Sequence, residues 1–226
     1  MSEASAPEAR VSEGPALQSR PVHARLVASR RVRVLAAWFA RLVPRGHRVL
    51  DFGCGDGRIG AALVAARPDL EVRGVAVLPR ADAAVPVDRF DGVTLPYNDA
   101  AFDTVMACDV LHHTEDPVAA LAEMARVARH CVVLKDHLLE GLWAGRTLAF
   151  MDAFGNPPAV VARPSHYLTP EQWRAAFAAC GLRIEEQHLR LGLYPWWADW
   201  LFGRGLHFVA RLGFAGRAPL EGGAGS

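Results

Sequence analysis

The stretch that most constrains this chain lies between Arg48 and Ala66. A short β-rich apolar run, Arg48 to Phe52, stops at Gly53-Cys54-Gly55-Asp56-Gly57, and helical character resumes from Ile59 to Ala66. The run carries one acidic residue, Asp51, just ahead of three alternating glycines. Glycine tolerates a left-handed backbone and leaves the main chain bare, but costs about 0.5–1 kcal/mol inside a regular element. So many in one turn point to a ligand that must come close to the backbone. Strand, tight glycine turn and helix, in that order, is also how a parallel α/β sheet begins. The turn alone is compatible with two cofactor classes, because Gly55-x-Gly57-x-x-Gly60 also satisfies the dinucleotide fingerprint literally.

The alternation continues along the chain. Strands are expected at Glu71 to Val77, Thr104 to Cys108 and Cys131 to Leu134, with a short buried run around Arg89 and Phe90 and a helix from Pro117 to Ala128. Upstream, Leu26, Val27, Val34, Leu35, Trp38, Phe39 and Leu42 recur every three to four residues, which predicts an amphipathic helix over 22–43, ended by Pro44 and Gly46. Downstream, Thr169-Pro170-Glu171-Gln172 opens a helix that Gly181 closes, and Leu182 to Leu191 and Leu206 to Leu212 read as two more strands. Strands alternating with helices imply a parallel sheet with right-handed crossovers. A chain of 226 residues has room for one such domain, expected over 21–215. The Ser-, Glu-, Ala- and Pro-rich segment 1–20 and the glycine-rich tail 216–226 are expected to be disordered and flexible.

Composition removes several function classes. Lys and Arg total 25 against 24 Asp and Glu, a net charge of +1, so no strongly basic face for nucleic acid is implied. No run reaches the ~18–20 apolar residues of a membrane span, and residues 1–20 lack a signal-peptide core. The four cysteines are widely spaced without a CxxC pair and read as reduced thiols of a soluble, cytoplasmic protein. Lys135 is the single lysine.

Three elements taken together resemble the class I S-adenosylmethionine-dependent methyltransferases, within their small-molecule, type 11-like group. The first is the run from Val49 to Gly57, ending in Gly-Cys-Gly-x-Gly. The second is Asp91-Gly92-Val93-Thr94-Leu95-Pro96, with an acidic residue four before Leu-Pro. The third is Phe102 to His113, similar to the family's fourth strand and the loop beneath the methionine arm. The resemblance spans 49–134. It implies a doubly wound, Rossmann-like sheet of seven mostly parallel strands with helices on both faces and the last strand antiparallel. It implies S-adenosylmethionine as cofactor, held by Asp51, Gly53, Cys54, Gly55, Gly57, Asp91, Gly92, Asp109 and Val110, with Asp91 accepting the adenine amino group and the Gly92 backbone against the ring. The chain departs from the family at the end of the second strand, where an acid that grips the ribose hydroxyls is usual and Gly74-Val75-Ala76-Val77 stands instead.

Methyl transfer needs in-line alignment, exclusion of water and, for a protonated acceptor, a base. His112, His113 and His137 are expected at the carboxyl ends of strands four and five, where open α/β sheets place ligands. His113, four after Asp109, and His137 are the candidate catalytic residues. Lys135-Asp136-His137 reads either as an anion-binding group with Asp136 orienting His137, or as a solvated strand exit. No metal is expected, because these histidines lack regular ligand spacing. Residues 136–168 and the aromatic-rich 192–205 read as acceptor-side segments, the latter either an apolar lid over a small organic, aromatic or lipophilic acceptor or a homodimer contact. Two other readings stand beside methyl transfer: a protein that binds S-adenosylmethionine without transferring its methyl group, and an NAD-dependent oxidoreductase.

Overall fold

The computed structural model describes residues 22–140, 166–193 and 205–216, with side chains from residue 30 onward. The expected substrate-side segments and both termini therefore lie, for the most part, outside the described residues. Chain order is α1 (Val22–Leu42), β1 (Arg48–Phe52), α2 (Arg58–Ala66), β2 (Glu71–Ala76), β3 (Val87–Arg89), β4 (Phe102–Cys108), a one-turn helix (Leu111–His113), α3 (Pro117–Val127), β5 (Ala128–His137), α4 (Pro170–Ala179), β6 (Leu182–His188) and β7 (His207–Phe214). Seven strands form one sheet in the order β3-β2-β1-β4-β5-β7-β6. β7 runs antiparallel to both β5 and β6, and the other pairings are parallel. The doubly wound architecture with one reversed strand is thus present. None of its described helices is long and apolar enough to cross a membrane.

Burial on both sheet faces explains why the central strands read as continuous apolar runs. On one face Leu35, Phe39 and Leu42 of α1 and Leu63 of α2 pack with Val49, Met106 and Val133. On the other, Leu121 and Met124 of α3 and Trp173 and Phe177 of α4 pack with Leu50, Val105, Val132 and Leu134. The helices start where their caps are. Asp116 accepts the Val118 and Ala119 N–H groups, each at 2.9 Å, with Pro117 next in the helix, and Thr169 and Gln172 form a capping box before α4.

Two boundaries differ from expectation in ways that matter. β3 is a three-residue strand of polar composition, stabilised by pairing with Gly74 to Ala76 rather than by its own pattern. β5 does not stop at Leu134 but runs to His137. Because side chains alternate across a strand, Val133 toward α1 and Leu134 toward α3 place Lys135 on the α1 face and Asp136 on the α3 face.

Candidate functional site

At the carboxyl edge, Gly53, Gly55 and Gly57 all adopt positive φ, at 69°, 57° and 71°. The N–H groups of Gly53 and Cys54 both donate to the Val75 carbonyl, at 2.9 and 3.3 Å, and Gly57 N–H donates to the Cys54 carbonyl at 2.9 Å. Gly53 is required by the protein itself, since a Cβ there would lie 2.6 Å from Val110 Cγ1. Gly55 is different: a Cβ there would meet nothing within 4 Å, so its backbone opens toward space that an outside group can enter. Cys54 Sγ fills the notch left by Gly74, where a Cβ would sit 2.5 Å away, and burial pushes its thiol up to about 12, which suits packing rather than nucleophilic chemistry.

Beneath the turn, Asp51 is 3% exposed, and its carboxylate accepts no hydrogen bond among the described residues. Burial, and then the neighbouring Asp56, raise it to about 7. Past β3, Asp91 Oδ1 accepts the N–H groups of Val93 and Thr94 at 2.8 and 2.7 Å, which hold this exposed carboxylate below its ordinary range. Gly92 (φ 93°) follows, its Cα face against Val77 Cγ2. Val77, Leu78 and Val93 are exposed apolar side chains. Ala76 closes β2 with no carboxylate of its own. Asp88 and Asp82 already have partners: Asp88 takes Arg73 at 3.1 Å and the Tyr97 hydroxyl at 2.8 Å, and Asp82 takes Arg80 at 2.9 Å.

Asp109, just after β4, holds a φ of 54°, unusual for a residue other than glycine. Its N–H donates to the Lys135 carbonyl at 2.9 Å. Its carboxylate is paired with Lys135 of β5 and Arg31 of α1, and His137 Nδ1 lies 3.4 Å away. Burial pushes this carboxyl up, but Lys135 and then Arg31 outweigh it and hold Asp109 well below the usual range. Lys135 is 1% exposed, Asp136 0% and His137 6%, so the solvated-exit reading fails, and Lys135 faces Asp109 rather than an incoming anion.

Asp136 gathers a second group on the opposite face. Its Oδ1 accepts His112 Nδ1 at 2.6 Å and the His137 N–H at 2.8 Å, while Oδ2 accepts the Leu111 N–H at 3.1 Å. The expected Asp136–His137 pairing is correspondingly looser, with His137 Nδ1 at 3.5 Å; the carboxylate orients His112 instead. His137 Nδ1 is 3.4 Å from His112 Nδ1. Burial, then Lys135, lower the His137 pKa and keep its ring neutral. His113 is half-buried, its ring centroid 4.0 Å from that of His112, and the Tyr167 ring stacks on His112 at 5.5 Å. His207 sits directly opposite His137 in the β5–β7 register, 3.3 Å from Lys135 Nζ. The structure therefore brings His112, His113, His137, Asp109 and Asp136 together on the edge that carries the glycine turn. Arg31, Tyr167 and His207 join them without any local sequence signal beyond the isolation of Lys135.

Comparison with known proteins follows this geometry. A family described as a methyltransferase domain matches residues 50–132. A ubiquinone biosynthesis O-methyltransferase from Xanthomonas axonopodis pv. citri is 37% identical over 160 residues, covering 65% of this chain and 67% of that one. A 27-O-demethylrifamycin SV methyltransferase from Amycolatopsis mediterranei is 33% identical over 97 residues, 37% of this chain; the match spans only 35% of that enzyme's length. Among solved structures, the YcgJ protein of Bacillus subtilis superposes with a TM-score of 0.58 at 19% identity, over 82% of this chain and 99% of that one, a likeness of fold.

Proposed function

The chain belongs to the class I S-adenosylmethionine-dependent methyltransferases, and from that premise we propose that it transfers a methyl group to an oxygen, or another protonated heteroatom, of a small organic acceptor. The observation that carries this reading is the juxtaposition on one sheet edge of a bare-backbone turn with a cluster of neutral and half-buried imidazoles. Relatives whose names specify O-methylation favour oxygen.

The residues fit the cofactor. Gly55 leaves space against its backbone, Asp51 is a buried carboxylate awaiting a donor or cation, and Val77 and Gly92 form an apolar wall beside Asp91. Gly53, Cys54, Gly55 and Gly57 would hold the methionine arm together with Asp109 and Val110, and Asp91 with Gly92 the adenine. When bound, S-adenosylmethionine supplies a methyl group already activated on a sulfonium. The chain then has to align, dehydrate and deprotonate. Val110 closes on Gly53 and fixes the turn's position. We assign the acceptor's proton to His113, the most accessible of the three rings at this edge, and to His137, whose neutral ring is the form a base needs. Free thiols at all four cysteines suit a reducing, cytoplasmic setting.

Incubation of purified protein with methyl-labelled S-adenosylmethionine and a panel of phenols, alcohols and amines tests the reading. Label transferred to a hydroxyl, and reduced by His113→Ala more than cofactor affinity is, supports it. Stoichiometric retention of cofactor without transfer to any acceptor contradicts it, and a melting point raised by NAD rather than by S-adenosylhomocysteine would point to oxidoreductase chemistry.

A further inference from the structure

His112, Asp136 and His137 bring three buried metal-ligating side chains close together at the sheet edge. One ligand atom from each lies within 4.8 Å of the other two, and all three residues are buried. Two of the three spacings suit a tetrahedral ion. Zinc bonds of about 2.0–2.1 Å in a tetrahedral arrangement put neighbouring ligand atoms roughly 3.3 Å apart. His137 Nδ1 stands 3.4 Å from His112 Nδ1 and 3.5 Å from Asp136 Oδ1; the third pair, His112 Nδ1 and Asp136 Oδ1, is hydrogen-bonded at 2.6 Å, so an ion entering here displaces that proton and parts the two atoms. Two imidazoles that converge by nitrogen on one carboxylate and on each other are a donor set of the kind borderline metals select.

The charges point the same way. Asp109 is met by both Arg31 and Lys135. Asp136, which is 0% exposed, ion-pairs with no lysine or arginine among the described residues; its partners are the two imidazoles and two backbone N–H groups. A carboxylate buried this deeply with no lysine or arginine beside it is one whose charge a divalent cation would meet directly.

We propose that His112, Asp136 and His137 form a site for a first-row divalent transition cation of the zinc type, with three protein ligands and one position left open. The backbone supplies the rigidity such a site needs: His112 lies in the one-turn helix after β4, Asp136 and His137 are consecutive on β5, and the Leu111 N–H holds Asp136 Oδ2 in place. Sequence spacing gives no hint of the site, because its ligands are 24 residues apart and meet only when β4 and β5 pair. Cation binding deepens the methyl-transfer reading without depending on it. With the cation bound, His137 is a ligand and proton acceptance falls to His113.

Titration of tag-free, chelator-treated full-length protein with zinc alone, in the absence of S-adenosylmethionine, tests the proposal. One equivalent should bind with sub-micromolar affinity, weakened at least tenfold in His137→Ala and in Asp136→Asn and unchanged in His188→Ala. Cobalt should give the intense visible bands of a four-coordinate site, and magnesium should bind far more weakly. Wild-type protein that takes up no zinc overturns the proposal whatever the variants do. So does zinc binding undiminished in His137→Ala, which would assign the metal to other histidines or to cysteines. If a variant fails to fold by circular dichroism, the cobalt spectrum of the wild type decides by its nitrogen- and oxygen-type or thiolate-type bands.

Discussion

The turn after β1 and the cluster at the ends of β4 and β5 share one sheet edge but are built from opposite materials. The turn presents backbone: three glycines at positive φ, with Gly55 open to space. The cluster presents largely buried side chains, drawn from α1, the residue after β4, the one-turn helix, β5 and β7, that satisfy one another's charge. A backbone site is rigid as soon as its strand and helix form. A side-chain site of this kind is rigid only when distant elements have docked, so its stability and its chemistry are coupled.

That contrast can be broken most severely at Asp109. Asp109→Asn keeps the shape and tolerates the left-handed φ, but leaves Lys135 charged and 1% exposed without its carboxylate. Loss of one partner of a buried pair costs about 3–5 kcal/mol, to be read as a lowered urea midpoint. An unchanged midpoint would mean that the cluster is not structural.

The turn should behave oppositely at Asp51. Its raised pKa, about 7, means that the folded state favours the proton. The stability this contributes is complete below the ordinary carboxyl value near 3.8 and is lost as pH rises through about 7. Asp51→Asn should therefore stabilise the ligand-free protein by about 1–2 kcal/mol at pH 8 and little at pH 5, while weakening S-adenosylhomocysteine binding. Thermal melts at the two pH values, with and without ligand, check both signs.

A smaller effect sharpens the cofactor side. Ala76→Asp restores a carboxylate at the end of β2, where Asp82 and Asp88 are already paired. Calorimetry should show cofactor binding about tenfold tighter, the worth of one charged hydrogen bond. No gain would mean that the ribose hydroxyls are met elsewhere.

What could be read in the sequence follows the same division. Gly53 to Gly57 was legible because a backbone site is written locally, in consecutive glycines between an apolar strand and a helix. The order of strands and helices was legible because both sheet faces are buried, which makes Val49-Leu50 and Val132-Val133-Leu134 unmistakably apolar. Lys135 to His137 were not read as strand, because polar residues ended the apolar run even though the ladder to β7 continues through them. Their burial rests on Arg31, Asp109 and His207, which are distant in sequence and meet only through the β4–β5–β7 register. Asp136 was paired by sequence with its neighbour His137, whereas strand alternation turns its carboxylate toward His112.

The central claim, an S-adenosyl ligand seated against bare backbone, is tested most directly at Gly55, where an added Cβ meets nothing within 4 Å beyond its chain neighbours. Asn is the residue other than glycine best suited to its φ of 57°. Titration calorimetry with S-adenosylhomocysteine should give one equivalent bound by the wild type and at least about tenfold weaker binding by Gly55→Asn, with the variant's melting point within a few degrees. A wild type that binds no S-adenosylhomocysteine, or a folded Gly55→Asn variant that binds it equally well, would contradict the account.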